Sequence, residues 1–405
     1  MIGEIGDGGF REFAWPVICI ILGLDWLRQP LISPSRVVFH PGITLVYLLI
    51  LVAWVLSLVG SIPTATLVSP DQKAIIDQRV TEAFLTSTII LASMTAAADP
   101  RRLELFFRIV VVSAIPYAIT TFFMGAEIEE WGEVVRRAGI FVDVGPASTY
   151  MIFAMILAVV FIRRGEHALF YSGCIFLFLA TMVPTNSKTA MIVIAMLLVI
   201  DPIIDGKWKQ AGATAVIGPL VVLALVPLLP STIYNSLVQA MTSLFIDPYA
   251  AVAGQGGTFA ERIKHFWMGL DLASQYPLFG FGLMKHIAVL PVLHVTYIAV
   301  LAETGIVGFS LYLAMIIVVL RTGFRALKAF SRSGDRQSYL AMKALLLSFI
   351  ATLIIMTTQP WHGQEDRLFW LLAGWIGGME YWRCRSRAAR EQLAGQADPV
   401  PEDGT

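Results

Sequence analysis

Residues 42–60 read GITLVYLLILVAWVLSLVG. The stretch carries no charged side chain, and its run Leu48-Leu49-Ile50-Leu51-Val52 does not alternate apolar with polar residues. A strand of a membrane barrel would alternate over about ten residues. A helix of this length instead covers the ~30 Å of a bilayer's hydrocarbon. The same reading recurs outward along the chain. Spans are expected near 12–27, 42–60, 80–98, 103–124, 140–162, 168–184, 189–204, 211–230, 294–320, 338–358 and 367–382, about 11 in all and within 10–12. Composition agrees: 57% of residues are hydrophobic and 14% charged, with a mean hydropathy of +0.73, whereas soluble domains carry about 25% charged residues. The expected fold is all-α, a polytopic transmembrane helix bundle.

Formal net charge is zero, so nothing in the bulk charge points to nucleic acid. Cys19 and Cys174 lie in apolar runs and Cys384 in a basic tail, which is neither a disulfide framework nor a metal-ligand spacing. Met1 to Phe10 lacks a basic n-region, so the first apolar run is expected to remain as a helix. One set of alternate loops holds Arg28 and Arg36, Arg101 and Arg102, Arg163 and Arg164, Lys207 and Lys209, then Arg321, Arg325, Lys328, Arg332 and Arg336, with Arg383, Arg385, Arg387 and Arg390 in the tail. Cytoplasmic loops are enriched in Lys and Arg, so the opposite set (61–79, the acidic loop with Glu127, Glu129, Glu130 and Glu133, the 184–188 turn, 231–293 and 359–366) faces outward. Four regions follow: N-terminal helices 1–8 over 1–230, an outer segment with amphipathic helices over 231–293, C-terminal transmembrane helices over 294–387, and a disordered cytoplasmic tail over 388–405.

The outer segment is where water-soluble chemistry has room, because irregular backbone is tolerated only outside the hydrocarbon or inside protein. Thr258 and Glu261 form a capping-box pattern. Phe259, Ile263, Phe266, Leu270 and Ala273 recur at helical spacing, and Pro277 cannot continue the helix. Arg262 falls at the border of that stripe, and His265 lies off it and is expected to be solvated. Trp267, the Gly280-Phe281-Gly282 turn, His294 and Glu303-Thr304-Gly305 follow.

Together these pieces resemble the O-antigen ligase and polymerase family. The resemblance rests on Arg262 and Trp267, then Tyr276-Pro277-Leu278-Phe279-Gly280-Phe281-Gly282, then His294, then Glu303-Thr304-Gly305-Ile306-Val307-Gly308. Upstream, Arg136-Arg137-Ala138-Gly139-Ile140-Phe141 and Thr185-Asn186-Ser187-Lys188-Thr189-Ala190 are similar to the family's Arg-x-x-Gly-x-Phe and Thr-x-Ser-Arg-x-Ala pieces. Val295 stands where Asn usually follows the His, Lys188 where Arg is usual, and Pro146-Ala147 where Pro-Asn is common. The resemblance covers roughly residues 130–320. It implies a GT-C-like, metal-independent membrane glycosyltransferase without a cofactor. Its implied donor is a glycan on undecaprenyl diphosphate and its acceptor a glycan or lipid A–core, joined on the periplasmic face of the bacterial inner membrane. A chain-length regulator or glycan flippase would be its partners.

The residue types fit that chemistry. Guanidinium groups pair bidentately with phosphate oxygens, and fixed cations stabilise the charge that builds on a departing diphosphate. Arg262, Arg136 or Arg137, and Lys188 are the candidates for that role. His294, with an ordinary pKa of ~6.5, can accept a proton from an attacking hydroxyl. Without a paired-carboxylate nucleophile, inversion is expected. Each residue also has a plainer reading. Arg262 would snorkel to head groups, His294 would end a helix, Arg136 would anchor one, Lys188 would cap a turn, and Trp267 would mark the interface. Glu303, deep in an apolar run, needs a cationic partner or a place outside the bilayer; Gly280 and Gly282 would support the turn. The alternative function is a membrane transporter or flippase of lipid-linked glycans. Against it, no internal repeat is evident, and the charges gather on one face.

Overall fold

The computed structural model describes residues 38–61, 69–123, 126–128, 135–137, 144–185, 187–225, 257–288, 293–358 and 364–396. Helices α1 (Pro41–Gly60), α2 (Pro70–Ser87), α3 (Ile89–Ala97) and α4 (Pro100–Phe123) lead to a hairpin of β1 (Ala126–Ile128) and β2 (Val135–Arg137). Then follow α5 (Val144–Arg164), α6 (Ala168–Thr185), α7 (Lys188–Ile204), α8 (Trp208–Leu225), α9 (Gly257–Gln275), a 3-10 turn (Lys285–Ala288), α10 (Thr296–Ser333), α11 (Arg336–Ile355) and α12 (Gln364–Gln396). The protein is a polytopic helical membrane protein. Among the described residues, six helical stretches are long and apolar enough to cross a bilayer: 41–60, 72–97, 100–123, 147–164, 296–333 and 336–355. Two shorter apolar helices cover 168–182 and 189–204. Every expected span after the first overlaps a helix; the span at 12–27, Glu129, Glu130 and Glu133, the turn at 359–362 and the end of the tail lie outside the described residues.

Two differences from expectation have local causes. The acidic loop carries a short antiparallel hairpin, with Glu127 opposite Arg136 and Ala126 opposite Arg137. The tail expected to be disordered from 388 is helical to Gln396. Its helix formers are joined by an i,i+4 ion pair between Arg387 and Glu391 at 2.7 Å, a spacing that supports an exposed helix.

The helices begin and end in two groups. At one end, Ser148 on the first turn of α5 donates to Ser187, the N-cap of α7, at 3.1 Å. Thr189 shares a 3.1 Å hydroxyl contact with Thr358, and Thr296 N donates to Met356 O at 3.1 Å, which joins the starts of α7 and α10 to the end of α11. At the other end, Arg163 grips Asp201 at 2.6 and 3.1 Å, Lys343 reaches Asp201 at 2.8 Å and Asp205 at 2.5 Å, and Arg336 donates to Arg163 O at 3.1 Å. Among the described residues, Arg163 and Arg336, from two of the basic loops, therefore share one end.

Between the ends, the core is aromatic and closely packed. Trp370 on α12 meets Tyr47 and Trp54 of α1 edge-on, with ring centres 5.9 and 6.1 Å apart. Gly374 and Gly378 let α12 lie against α3: an added Cβ would come within 1.9 Å of Ser93 Oγ and 2.1 Å of Met94 O respectively. Small residues are the usual means by which membrane helices approach this closely.

Candidate active site

The site end is organised by a break in α10. Gly305 has φ 62° and ψ −169°, a region open essentially to glycine alone. In an unbroken helix, Ile306 N would donate to Ala302 O and Val307 N to Glu303 O. Here the turn after α9 takes both sides of that ladder. Phe281 N donates to Ala302 O (2.8 Å) and Gly282 N to Glu303 O (3.1 Å), while Ile306 N donates to Pro277 O (2.8 Å) and Val307 N to Leu278 O (3.3 Å). Glu303 O also accepts from Ser57 Oγ of α1 at 2.7 Å. The backbones meet at glycines. A Cβ on Gly280, whose φ is +76°, would lie 2.2 Å from Glu303 C and O, and one on Gly305 would lie 2.4 Å from Leu278 C and O. The sequence pairing of a Gly-x-Gly turn with a Glu-x-Gly helix thus has a direct cause: broken helices in membranes need a neighbour to re-satisfy the freed groups.

The Glu303 side chain is fully buried, and its Oε1 lies 2.6 Å from Nδ1 of His286, itself buried in the 3-10 turn. The buried carboxyl group thus lies against a ring nitrogen of a residue that the sequence reading did not single out. Lys285, beside it, donates from Nζ to Ser61 O at 2.6 Å. Burial pushes its ammonium below the usual lysine pKa, partly countered by the charge of Asp77. Turn, kink and the end of α1 form one fixed body.

On that body sits the second feature. His265 of α9 stacks on His294, with ring centres 5.4 Å apart and planes 17° from parallel. His265 is 3% exposed, so the expectation that it is solvated is wrong. The reason lies in which stripe of α9 faces protein. Among the described side chains of α9, His265, Gly269, Leu272 and Ala273 are buried, while Leu270 and Trp267 are exposed. The apolar stripe read from the sequence is in part the outward one; inside a membrane protein, small and polar residues pack against protein instead. Gly269 makes the approach close, since a Cβ there would lie 2.5 Å from Ile298 Cγ2 and 3.2 Å from Leu293 Cδ1.

Arg262 precedes His265 by three residues, so it shares its face of α9, and it is half-buried. The helix therefore presents Arg262 on the side that meets His294. Lys188 is the first residue of α7, next to Thr189 with its contact to Thr358, and so at the same end as Thr296 and His294. Arg136 and Arg137 are on β2, beside α6. Trp267, 56% exposed, is on the outer surface of α9 and away from the stack.

A family model described as O-antigen ligase matches residues 173–313. Over this region the chain is similar to the O-antigen ligase family. The matched stretch runs from within α6 to the first turns of α10 past the break, so it includes Lys188, Arg262, the glycine turn, His294 and Glu303. A comparison with curated proteins gives no match. Within the matched region, then, the turn, kink and histidine stack form one unit. A separate cleft of about 380 Å³ opens at the basic end, lined by Arg163, Asp201, Asp205, Lys207, Arg336 and Tyr339. Arg163 and the two aspartates there are already engaged in the ion pairs described above, so it is the weaker candidate for a diphosphate.

One residue of the site escaped the sequence reading, and another was placed by it on the wrong side of its helix. His286 carries no motif, but it lies close in sequence to the Gly-x-Gly turn that meets the backbone of Glu303. His265 was visible as the residue three after Arg262, a spacing that should have placed it on the same face.

Proposed function

We propose that this O-antigen ligase-type protein transfers a glycan from undecaprenyl diphosphate to a saccharide hydroxyl at the periplasmic face of the inner membrane. The reading is carried by the stacked contact between His265 and His294, which brings the Arg262 face of α9 against His294. In this reaction the acceptor oxygen attacks the anomeric carbon opposite the leaving group. The new C–O bond forms as the bond to diphosphate breaks, and the diphosphate leaves with the electron pair. His294 takes the hydroxyl proton. Arg262, with Lys188 and either Arg136 or Arg137, holds the diphosphate and stabilises its growing charge. One displacement inverts the anomeric centre, and cations of the protein stand in for a metal.

The transporter alternative is less well supported. Transporters use broken helices to present free backbone groups to a solute, but the carbonyls of Ala302 and Glu303 and the amides of Ile306 and Val307 are all taken by protein.

The test is glycan transfer in membranes holding equal amounts of wild-type, Arg262→Ala or His294→Ala protein. Loss of at least about a hundredfold is expected for each; full transfer by both rejects the assignment. Product analysis then separates the two members of the class. Loss of glycan on lipid A–core with lipid-linked polymer retained marks a ligase, and accumulation of single repeat units marks a polymerase.

A further inference from the structure

We propose that His265 is a positioning residue, whose buried ring is the platform that sets the plane of the His294 imidazole. The proposal rests on the transferase reading above. Three observations carry it. The rings are stacked within 17° of parallel, with centres 5.4 Å apart. Ring N–H bonds and lone pairs lie in the ring plane, so a stacked pair exchanges no proton directly; what the contact transmits is orientation. The backbone on either side of His294 is pinned independently. Leu293 is buried beneath Gly269, Thr296 N is bonded to Met356 O at 3.1 Å, and Tyr297 OH is bonded to Leu353 O at 2.8 Å. With the main chain held, the side-chain torsions of His294 decide where its imidazole lies, and a flat, almost fully buried neighbour limits them.

His265 is also tied to the phosphate-holding side of the proposed site, because it stands on the same face of α9 as Arg262. A single rigid helix thereby sets the spacing between the base and the proposed diphosphate grip. Proton removal and leaving-group departure must be aligned in one displacement, and an error of about 1 Å can cost ~100-fold in rate.

The experiment compares His265→Leu, which fills the space without a ring, with His265→Phe, which keeps the ring without its nitrogens. Full-length protein is reconstituted in liposomes with lipid A–core and undecaprenyl diphosphate-linked oligosaccharide extracted from the producing cells, so that either acceptor is present, and release of undecaprenyl diphosphate is followed as donor concentration varies. His265→Leu is expected to lower kcat by about ten- to a hundredfold with donor KM changed less than about twofold. His265→Phe is expected to keep roughly half of the wild-type kcat or more. A phenylalanine variant as impaired as the leucine variant overturns the platform role and assigns the imidazole itself to the chemistry. Wild-type kcat in His265→Leu overturns it too. If the leucine variant fails to fold, as judged by its melting curve, the phenylalanine variant decides alone. His294→Ala serves as the reference: if it is fully active, the transferase reading fails; if it is inactive while His265→Leu is normal, only the positioning role fails.

Discussion

Replacing Gly280 by alanine tests the junction between the turn and the broken helix. The new Cβ would lie 2.2 Å from Glu303 C and O and 2.4 Å from Thr304 N. These are backbone atoms, so no rotamer change relieves the clash, and the turn must back away by about 1 Å to reach ordinary contact. At that opening the bonds from Phe281 N (2.8 Å) and Gly282 N (3.1 Å) to the α10 carbonyls pass beyond hydrogen-bonding range. Each is worth about 1 kcal/mol, and more where a buried group is stranded. Holding alanine at a φ of +76° adds about 1–2 kcal/mol. The expected loss is about 4 kcal/mol, a large part of a typical domain's stability. Gly206→Ala is the control. Its φ is +74°, but nothing lies within 4 Å of its Cβ, so only the backbone term of about 1–2 kcal/mol applies. Both variants would be unfolded in detergent micelles by heat and denaturant and assayed for glycan transfer at matched protein levels. Equal losses at the two positions would refute the exchanged ladder as the support of the site, as would wild-type stability and transfer by Gly280→Ala.

Further outcomes concern packing and the basic end. Gly378→Val should lower the melting temperature sharply and reduce folded yield, because its Cβ would lie 2.1 Å from Met94 O and force α12 off α3; overpacking typically costs about 1–3 kcal/mol or more. Lys343→Met should cost about 3 kcal/mol in a denaturation assay. That is the low end for breaking a buried ion pair, since the Asp201 and Asp205 side chains keep 23% and 20% exposure. Burial alone would raise the pKa of Asp205, but hydrogen bonds from Lys343 and Tyr339 together hold its carboxyl below the ordinary value. A depressed carboxylate stabilises the fold above its unfolded pKa of ~3.9, and that stability is lost as pH falls through the lower folded value. The melting-temperature gap between wild type and Asp205→Asn should therefore stay constant from pH 7 to about pH 5 and close below about pH 4. A gap that closes near neutrality would contradict the assignment.

Much of this protein was legible without coordinates because hydrocarbon imposes one requirement on every span. A segment such as 42–60 must be apolar and must satisfy its own backbone, so helix identity, approximate limits and the two-ended distribution of basic loops follow from local composition. Glycine carried long-range information as well. The Gly280-Phe281-Gly282 and Glu303-Thr304-Gly305 pieces each marked an irregularity, and the expectation that Glu303 needs a partner or a place outside the lipid was sound in form. What composition could not supply was the partner.

That choice belonged to tertiary structure. Whether His286 or another residue meets Glu303, whether the turn at 277–282 occupies the gap in α10, and whether His265 faces water or His294 depend on how α9 is rotated about its own axis. Hydrophobic periodicity does not fix this rotation in a membrane protein, because lipid and protein interior are both apolar and an apolar stripe can turn to either. Helicity is decided over a few residues by the solvent around them; the meeting of an arginine-bearing face with a histidine more than twenty residues farther along is decided only when the chain closes on itself.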